Sequence, residues 1–218
     1  KIDLPGHGKS KVYQEIHTVE LMAEKVKEVI NALKLEKINL LGHSLGGYVS
    51  LAFAEKFPEI LESMTLFFST TVADDEEKKA IRTRSIAVID ENFETFVKTS
   101  IPNLFSNNEK DILEGKIELA KNIAKSTDKE GVKAAQLGMA ERPDRTEILE
   151  NLDAKILIIA GKYDNAVKTE NLLKIIPEKT NIKTYVLDCG HNGHWEKPTI
   201  CAEIINTELF HNLPKHFL

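Results

Sequence analysis

Cysteine is scarce: Cys189 and Cys201 are the only two in 218 residues. Two thiols make neither a disulfide framework nor a metal-ligand set, and they read as free thiols of a cytoplasmic protein. Nor does any apolar run approach the roughly 20 residues that a membrane-spanning helix needs, so no membrane partner is expected. Positive charge is not in excess either. The 29 Lys and Arg are scattered among 34 Asp and Glu, and the net charge is -5. That balance argues against a nucleic-acid partner, because phosphate contacts need clustered Lys and Arg. Internal repeats and low-complexity tracts are missing too, which excludes solenoids and linkers. The first residue is Lys1 rather than methionine, so localisation is read from the thiols and not from a leader.

What is present is an ordinary globular composition, 42% hydrophobic and 29% charged, at a length that suits one domain with an insertion. Val19, Met22, Val26, Val29, Ile30 and Leu33 recur at helical spacing, with Thr18 placed to cap that helix. Ile38 to Leu41 is a short apolar strand. It runs into a glycine-flanked serine and then a helix dense in small residues, which Pro58 stops. "LESMTLFFS" is a second buried strand. Helix, strand, helix, strand is the pattern of a parallel sheet with helical crossovers.

From about Val72 to Glu150 the pattern is only charged amphipathic helices: "DDEEKKAIRTRSIAVI", "FETFVKTS", "NEKDILEGKIELAKNIAKS" and "KEGVKAAQLGMAE". Strand signals return at "AKILIIAGKYDN" and "IKTYVLDCGHNGHW", and a final helix is expected from about Ile200 to the C-terminus. The expected organisation is a core in two segments, residues 1–71 and 151–218, interrupted by a helical insertion over 72–150.

Gly42-His43-Ser44-Leu45-Gly46 fits G-x-S-x-G between a strand and a helix, the context that motif requires. A nucleophile on so sharp a turn sits in strained backbone, and side chains two residues to either side are expected to collide with it. The turn lifts the Ser44 hydroxyl above the carboxyl edge of the sheet, where ligands of open α/β sheets bind. The positive end of the following helix faces developing negative charge, and Gly47 lets that helix pack closely.

A serine alkoxide needs a base, and the base an orienting acid. Among seven histidines, His191 follows a strand at the edge that should carry Ser44. His194 is its nearest rival and reads as a loop histidine without a partner, whereas His43 is too close to Ser44 to swing back. His7 and His17 lie near the start, and His211 and His216 near the end. For the acid, Asp164 follows the other late strand; Asp188 and Asp153 are rivals, Asp188 reading as a cap of local backbone.

These stretches together resemble the α/β-hydrolase family, in its small, lidded, serine esterase-like form. "DLPGHGKS" resembles the loop after the family's fourth strand and "LLGHSLGGYVSLAFAEKFPE" its nucleophile elbow and helix. "ERPDRTEIL…AKILIIAGKYDN" resembles the segment from lid to acid, and "CGHNGHWEKP" the G-H-x4-E-x-P histidine loop. The resemblance implies Ser44 as nucleophile, Asp164 as acid, His191 as base and the Leu45 backbone amide as an oxyanion donor, in the chain order usual for this fold. It implies no metal or organic cofactor. Serine at the elbow argues against the family's dehalogenases and epoxide hydrolases, which carry aspartate there.

The same resemblance implies that three strands and the loop giving a second oxyanion amide precede "DLPGHG". Their absence leaves "INLL" as a bare edge, which invites pairing with another copy. The expectation is therefore a fragment of a longer protein, or a homo-oligomer through that edge. The expected activity is hydrolysis of a small-molecule carboxylic ester, with thioester, amide or carbon–carbon hydrolysis as variants. The competing expectation is a non-catalytic hydrolase-fold binding protein or an inactive truncated fragment. Phe68, Phe93, Phe96, Leu104, Phe105, Leu137 and Met139 are candidates to line an acyl pocket, and Trp195 a candidate wall.

Overall fold

Thr18 Oγ1 accepts a hydrogen bond from the Leu21 amide at 3.1 Å, so helix α1 (Val19–Ala32) begins where its cap places it. The computed structural model describes residues 1–210. After α1 come strand β1 (Ile38–His43), helix α2 (Leu45–Lys56) and strand β2 (Leu61–Phe67), with Pro58 two residues beyond the end of α2. The second half of the core supplies β3 (Lys155–Gly161) and β4 (Ile182–Leu187). All pairings are parallel, in the order β1-β2-β3-β4. This is a mostly parallel sheet with flanking helices and an inserted helical segment. Among the described residues β1 pairs only with β2, and Leu41 on it is 41% exposed.

The alternation of side chains along β3 divides the core in two. Ile156, Ile158 and Ala160 join the cluster built by α1 and α2, with Met22, Leu51 and Phe53. Leu157 and Ile159 face the other way, against Phe67, Phe68 and Cys201. Cys201 lies on helix α9 (Pro198–Phe210). Burial on both faces explains why β3 reads as an unbroken apolar run. The remainder of the expected last helix, with His211 and His216, lies outside the described residues.

Between β2 and β3 run helices α3 (Glu76–Ser100), α4 (Glu114–Lys125), α5 (Lys129–Glu141) and α6 (Glu147–Asn151). Helix α3 merges two stretches that the sequence separates, and the separation survives as a break. Asn92 is non-helical (φ -159°, ψ 96°), and its Oδ1 accepts from the Thr95 amide at 2.9 Å, so it caps the second piece inside the first. Asp75 and Asp128 cap α3 and α5 in the same way. The insertion docks on the front of the chain, where the His17 amide donates to the Ala134 carbonyl at 3.0 Å. Two short helices follow β3 and β4: α7 (Thr169–Lys174) and α8 (Gly193–Glu196). None of the described helices is long and apolar enough to cross a membrane.

Candidate active site

Register brings the strand ends level. His43 lies beside Phe67, Phe67 beside Ile159, and Gly161 beside Leu187. The residues just beyond β1, β3 and β4, which include Ser44, Asp164 and His191, therefore share one edge of the sheet.

Ser44 has φ 52° and ψ -113°, a region L-residues rarely adopt, at a cost of about 1–3 kcal/mol. Hydrogen bonds of its own backbone hold it there. Its amide donates to the Phe67 carbonyl at 3.0 Å, its carbonyl accepts from the Gly47 amide at 2.8 Å, and Ser69 Oγ donates to the same carbonyl at 2.9 Å. A Cβ on Gly42 would lie 2.1 Å from the Gly46 carbonyl oxygen, and one on Gly47 2.3 Å from Ser69 Oγ. The expectation for Gly46 needs correcting. A Cβ there meets nothing within 4 Å, so the steric demand falls on Gly42 and Gly47. Leu45 opens α2, and the first amides of a helix have no intrahelical acceptor.

Asp164 and His191 are both buried. His191 Nδ1 lies 2.8 Å from Asp164 Oδ2, while Asp164 Oδ1 accepts from the Ala166 and Val167 amides at 2.7 and 2.8 Å. That carboxylate cannot rotate without breaking one of these bonds, and it fixes the proton on Nδ1, which leaves Nε2 as acceptor. Ser44 and His191 line one cavity of about 540 Å³. No direct hydrogen bond joins their side chains among the described residues, as is common in unliganded sites.

The histidine loop is anchored from three sides. The His191 amide donates to the Leu104 carbonyl at 3.0 Å. His43 Nε2 lies 3.0 Å from the His191 carbonyl. Buried Glu196 accepts from the Gly190 amide at 2.9 Å and from the Ser106 amide at 3.1 Å. Burial, with the neighbouring His191 adding to it, pushes His43 down to about 3, so its ring is neutral. Burial lowers His194 to about 4, and its ring packs 4.7 Å from His43. Asp188 is paired with Lys162 on the surface at 3.2 Å, and the carboxylate bonded to His191 is that of Asp164.

Of the seven residues expected in an acyl pocket, Phe93, Phe96, Leu104 and Met139 line the cavity. Phe68 and Phe105 are fully buried in the core instead, and Leu137 is not among the lining residues. Trp195 packs edge-on against Phe105 with centroids 6.4 Å apart. Sequence reasoning missed His7, which lines the cavity and whose Nδ1 lies 3.0 Å from the Pro5 carbonyl. It also missed Arg82, Asp74 and Arg142. One carboxylate lies between the two guanidiniums, and Arg142 stacks over the Tyr48 ring at 3.9 Å. Their signal was faint, since charged residues of amphipathic helices read as a solvated face.

Both cysteines are free and buried. Burial pushes the Cys189 thiol up strongly and Cys201 to about 11, so neither is poised as a nucleophile. Among the described residues no group of three or more His, Cys, Asp or Glu is arranged to hold a metal ion.

Comparison with known proteins returns a family model, alpha/beta hydrolase fold, matching residues 2–198. An Escherichia coli (strain K12) protein is 27% identical over 206 residues, covering 89% of this chain and 70% of its own length. It is a 2-hydroxy-6-oxononadienedioate/2-hydroxy-6-oxononatrienedioate hydrolase. Among solved structures, a thermophilic esterase from Thermogutta terrifontis, with malate bound, superposes with a TM-score of 0.86 at 33% identity, over 94% of this chain and 76% of its own. The enol-lactonase from Burkholderia xenovorans LB400 superposes with a TM-score of 0.85 at 19% identity, over 94% and 78%, a likeness of fold alone.

Proposed function

The chain belongs to the alpha/beta hydrolase fold family, and from that membership we propose that it is a serine hydrolase cleaving a small carboxylic ester through an acyl-enzyme. One observation carries the reading: His191, bonded to buried Asp164 at 2.8 Å, lines the same cavity as a serine held at φ 52°. A protein that only binds has no need of all three.

In the proposed cycle His191 Nε2 takes the Ser44 proton while Oγ forms a bond to the ester carbonyl carbon. The Leu45 amide donates to the oxyanion, with the amino end of α2 adding its dipole. Collapse breaks the bond to the alkoxide, which leaves with the proton from His191. Water repeats the sequence on the acyl-enzyme and releases the acid. Asp164 keeps the imidazole in one tautomer and stabilises its charged form. The helical segment 72–150 is a lid, its inward residues Phe93, Phe96 and Met139 setting acyl preference. Two unpaired thiols suit a cytoplasmic setting.

The dienedioate named for the Escherichia coli relative favours a second reading, hydrolysis of a non-ester carbonyl compound on the same three residues. Turnover of a short p-nitrophenyl ester, lost in Ser44→Ala, supports the serine hydrolase. Equal rates in the two proteins sink it.

A further inference from the structure

The cavity above Ser44 has a charge that the chain as a whole does not. The protein carries 34 Asp and Glu and a net charge of -5, yet no Asp or Glu lines this cavity among the described residues, while Lys78 and Arg82 do. Arg82 is held from two sides: its Nε donates to Asp74 and its Nη1 donates to Gln136 Oε1 at 3.0 Å. Asp74 is shared with Arg142, whose Nη2 lies 2.8 Å away, so one carboxylate answers two guanidiniums and that cluster sums to +1.

Lys78 adds a second positive charge with no carboxylate within 4 Å among the described residues; its Nζ donates one hydrogen bond there, to the Ala166 carbonyl at 3.5 Å. Exposed Glu77, next to it in sequence, makes no ion pair with it among the described residues, and three other acids are engaged elsewhere. Asp75 Oδ1 accepts from the Lys78 backbone amide, Glu76 pairs with Lys79 at 2.9 Å, and Asp164 is taken up by His191 and two amides. The contact with Ala166, two residues past Asp164, sets the ammonium beside the acid loop.

A cation on the wall of a partly apolar cavity, without a counter-ion of its own, is complementary to an anionic ligand. We propose that the substrate carries a carboxylate remote from the bond that is cleaved, and that Lys78 is its counter-ion, with Arg82 adding to the field. This rests on the serine hydrolase reading and deepens it: the enzyme takes half-esters of dicarboxylic acids in preference to neutral esters of equal length.

Monoethyl adipate and ethyl hexanoate differ in the terminal carboxylate, and a pH-stat follows hydrolysis of both. Wild-type protein is expected to favour the half-ester at least tenfold in kcat/KM, the preference weakening with added salt. Lys78→Met is expected to lower the half-ester to neutral-ester ratio at least tenfold, and Lys78→Arg to restore most of it. A wild-type ratio of one or less, or a ratio within twofold of wild type in Lys78→Met, overturns the proposal. Calorimetry on Ser44→Ala, with and without Lys78→Met, reads binding without turnover: monoethyl adipate is expected to bind at least tenfold more tightly when Lys78 is present. If wild-type protein cleaves neither ester, the serine hydrolase reading fails, and calorimetry alone decides for or against the carboxylate.

Discussion

His43 Nε2 lies 3.0 Å from the carbonyl oxygen of His191, so the residue before Ser44 holds the loop that carries the proposed base. For Nε2 to donate to that carbonyl while the ring stays neutral, Nδ1 must be bare. The elbow and the histidine loop are thus tied by a bond that requires the proton of His43 to sit on Nε2.

A stability prediction follows with a definite sign. Burial lowers His43 from 6.5 in an open chain to about 3 in the fold. Above pH 6.5 both states hold it neutral and its contribution is fully present. As pH falls below 6.5 the unfolded chain takes up a proton that the folded chain refuses, so stability is lost progressively down to about pH 3. The slope from this one group approaches about 1.4 kcal/mol per pH unit. Urea melts of wild type and His43→Gln at pH 7, 6 and 5 check it. The wild-type slope should exceed that of the variant by about that amount, and parallel slopes would contradict the assignment.

The two elbow glycines make opposite predictions. Gly42→Ala drives a methyl to 2.1 Å from a backbone oxygen and should destabilise by about 3 kcal/mol or more. Gly46→Ala meets open space in a helix and should stay within about 1 kcal/mol of wild type, on the stabilising side. Thermal melts of the pair check this; equal losses would mean that the motif spacing itself carries the demand.

Asp164→Asn keeps the shape of the acid but loses its charge and its hold on the tautomer of His191. The expected loss in kcat on a p-nitrophenyl ester is about 10³–10⁴-fold. Circular dichroism confirms that the variant is folded. A loss below tenfold in a folded variant would remove Asp164 from the proposed role.

Glu196 joins the histidine loop to the segment after α3 through the Gly190 and Ser106 amides. Glu196→Gln replaces one acceptor oxygen with a donor and should cost about 1.5–3 kcal/mol in a urea melt. It should also speed hydrogen exchange at those two amides. Unchanged exchange would show that the clamp is not closed in solution.

Much of this architecture was legible from residue pattern. β3 is apolar from Ile156 to Ala160 because both faces are covered, and Thr18, Pro58 and the glycines of the elbow are local signals that act within a few residues. The order of strand ends followed from parallel crossovers, so the neighbourhood of Ser44, Asp164 and His191 could be anticipated. What escaped depends on contacts across distant elements. His7 reaches the cavity only because the front loop lies against it, and Asp74 with its two arginines looks in sequence like any charged helix surface. Phe68 and Phe105 read as pocket residues because hydrophobicity does not tell a pocket wall from a buried cluster. The break at Asn92 was visible as two helices, but not that they follow one another directly across a kink.

The most direct test of the central claim is the intact mass of the protein before and after a fluorophosphonate, with Ser44→Ala alongside. The account predicts a single adduct on the wild-type chain, mapped to Ser44 by peptide digestion, and none on the variant. A wild-type chain that stays unmodified, or a variant that is labelled equally, would contradict an activated serine at this elbow.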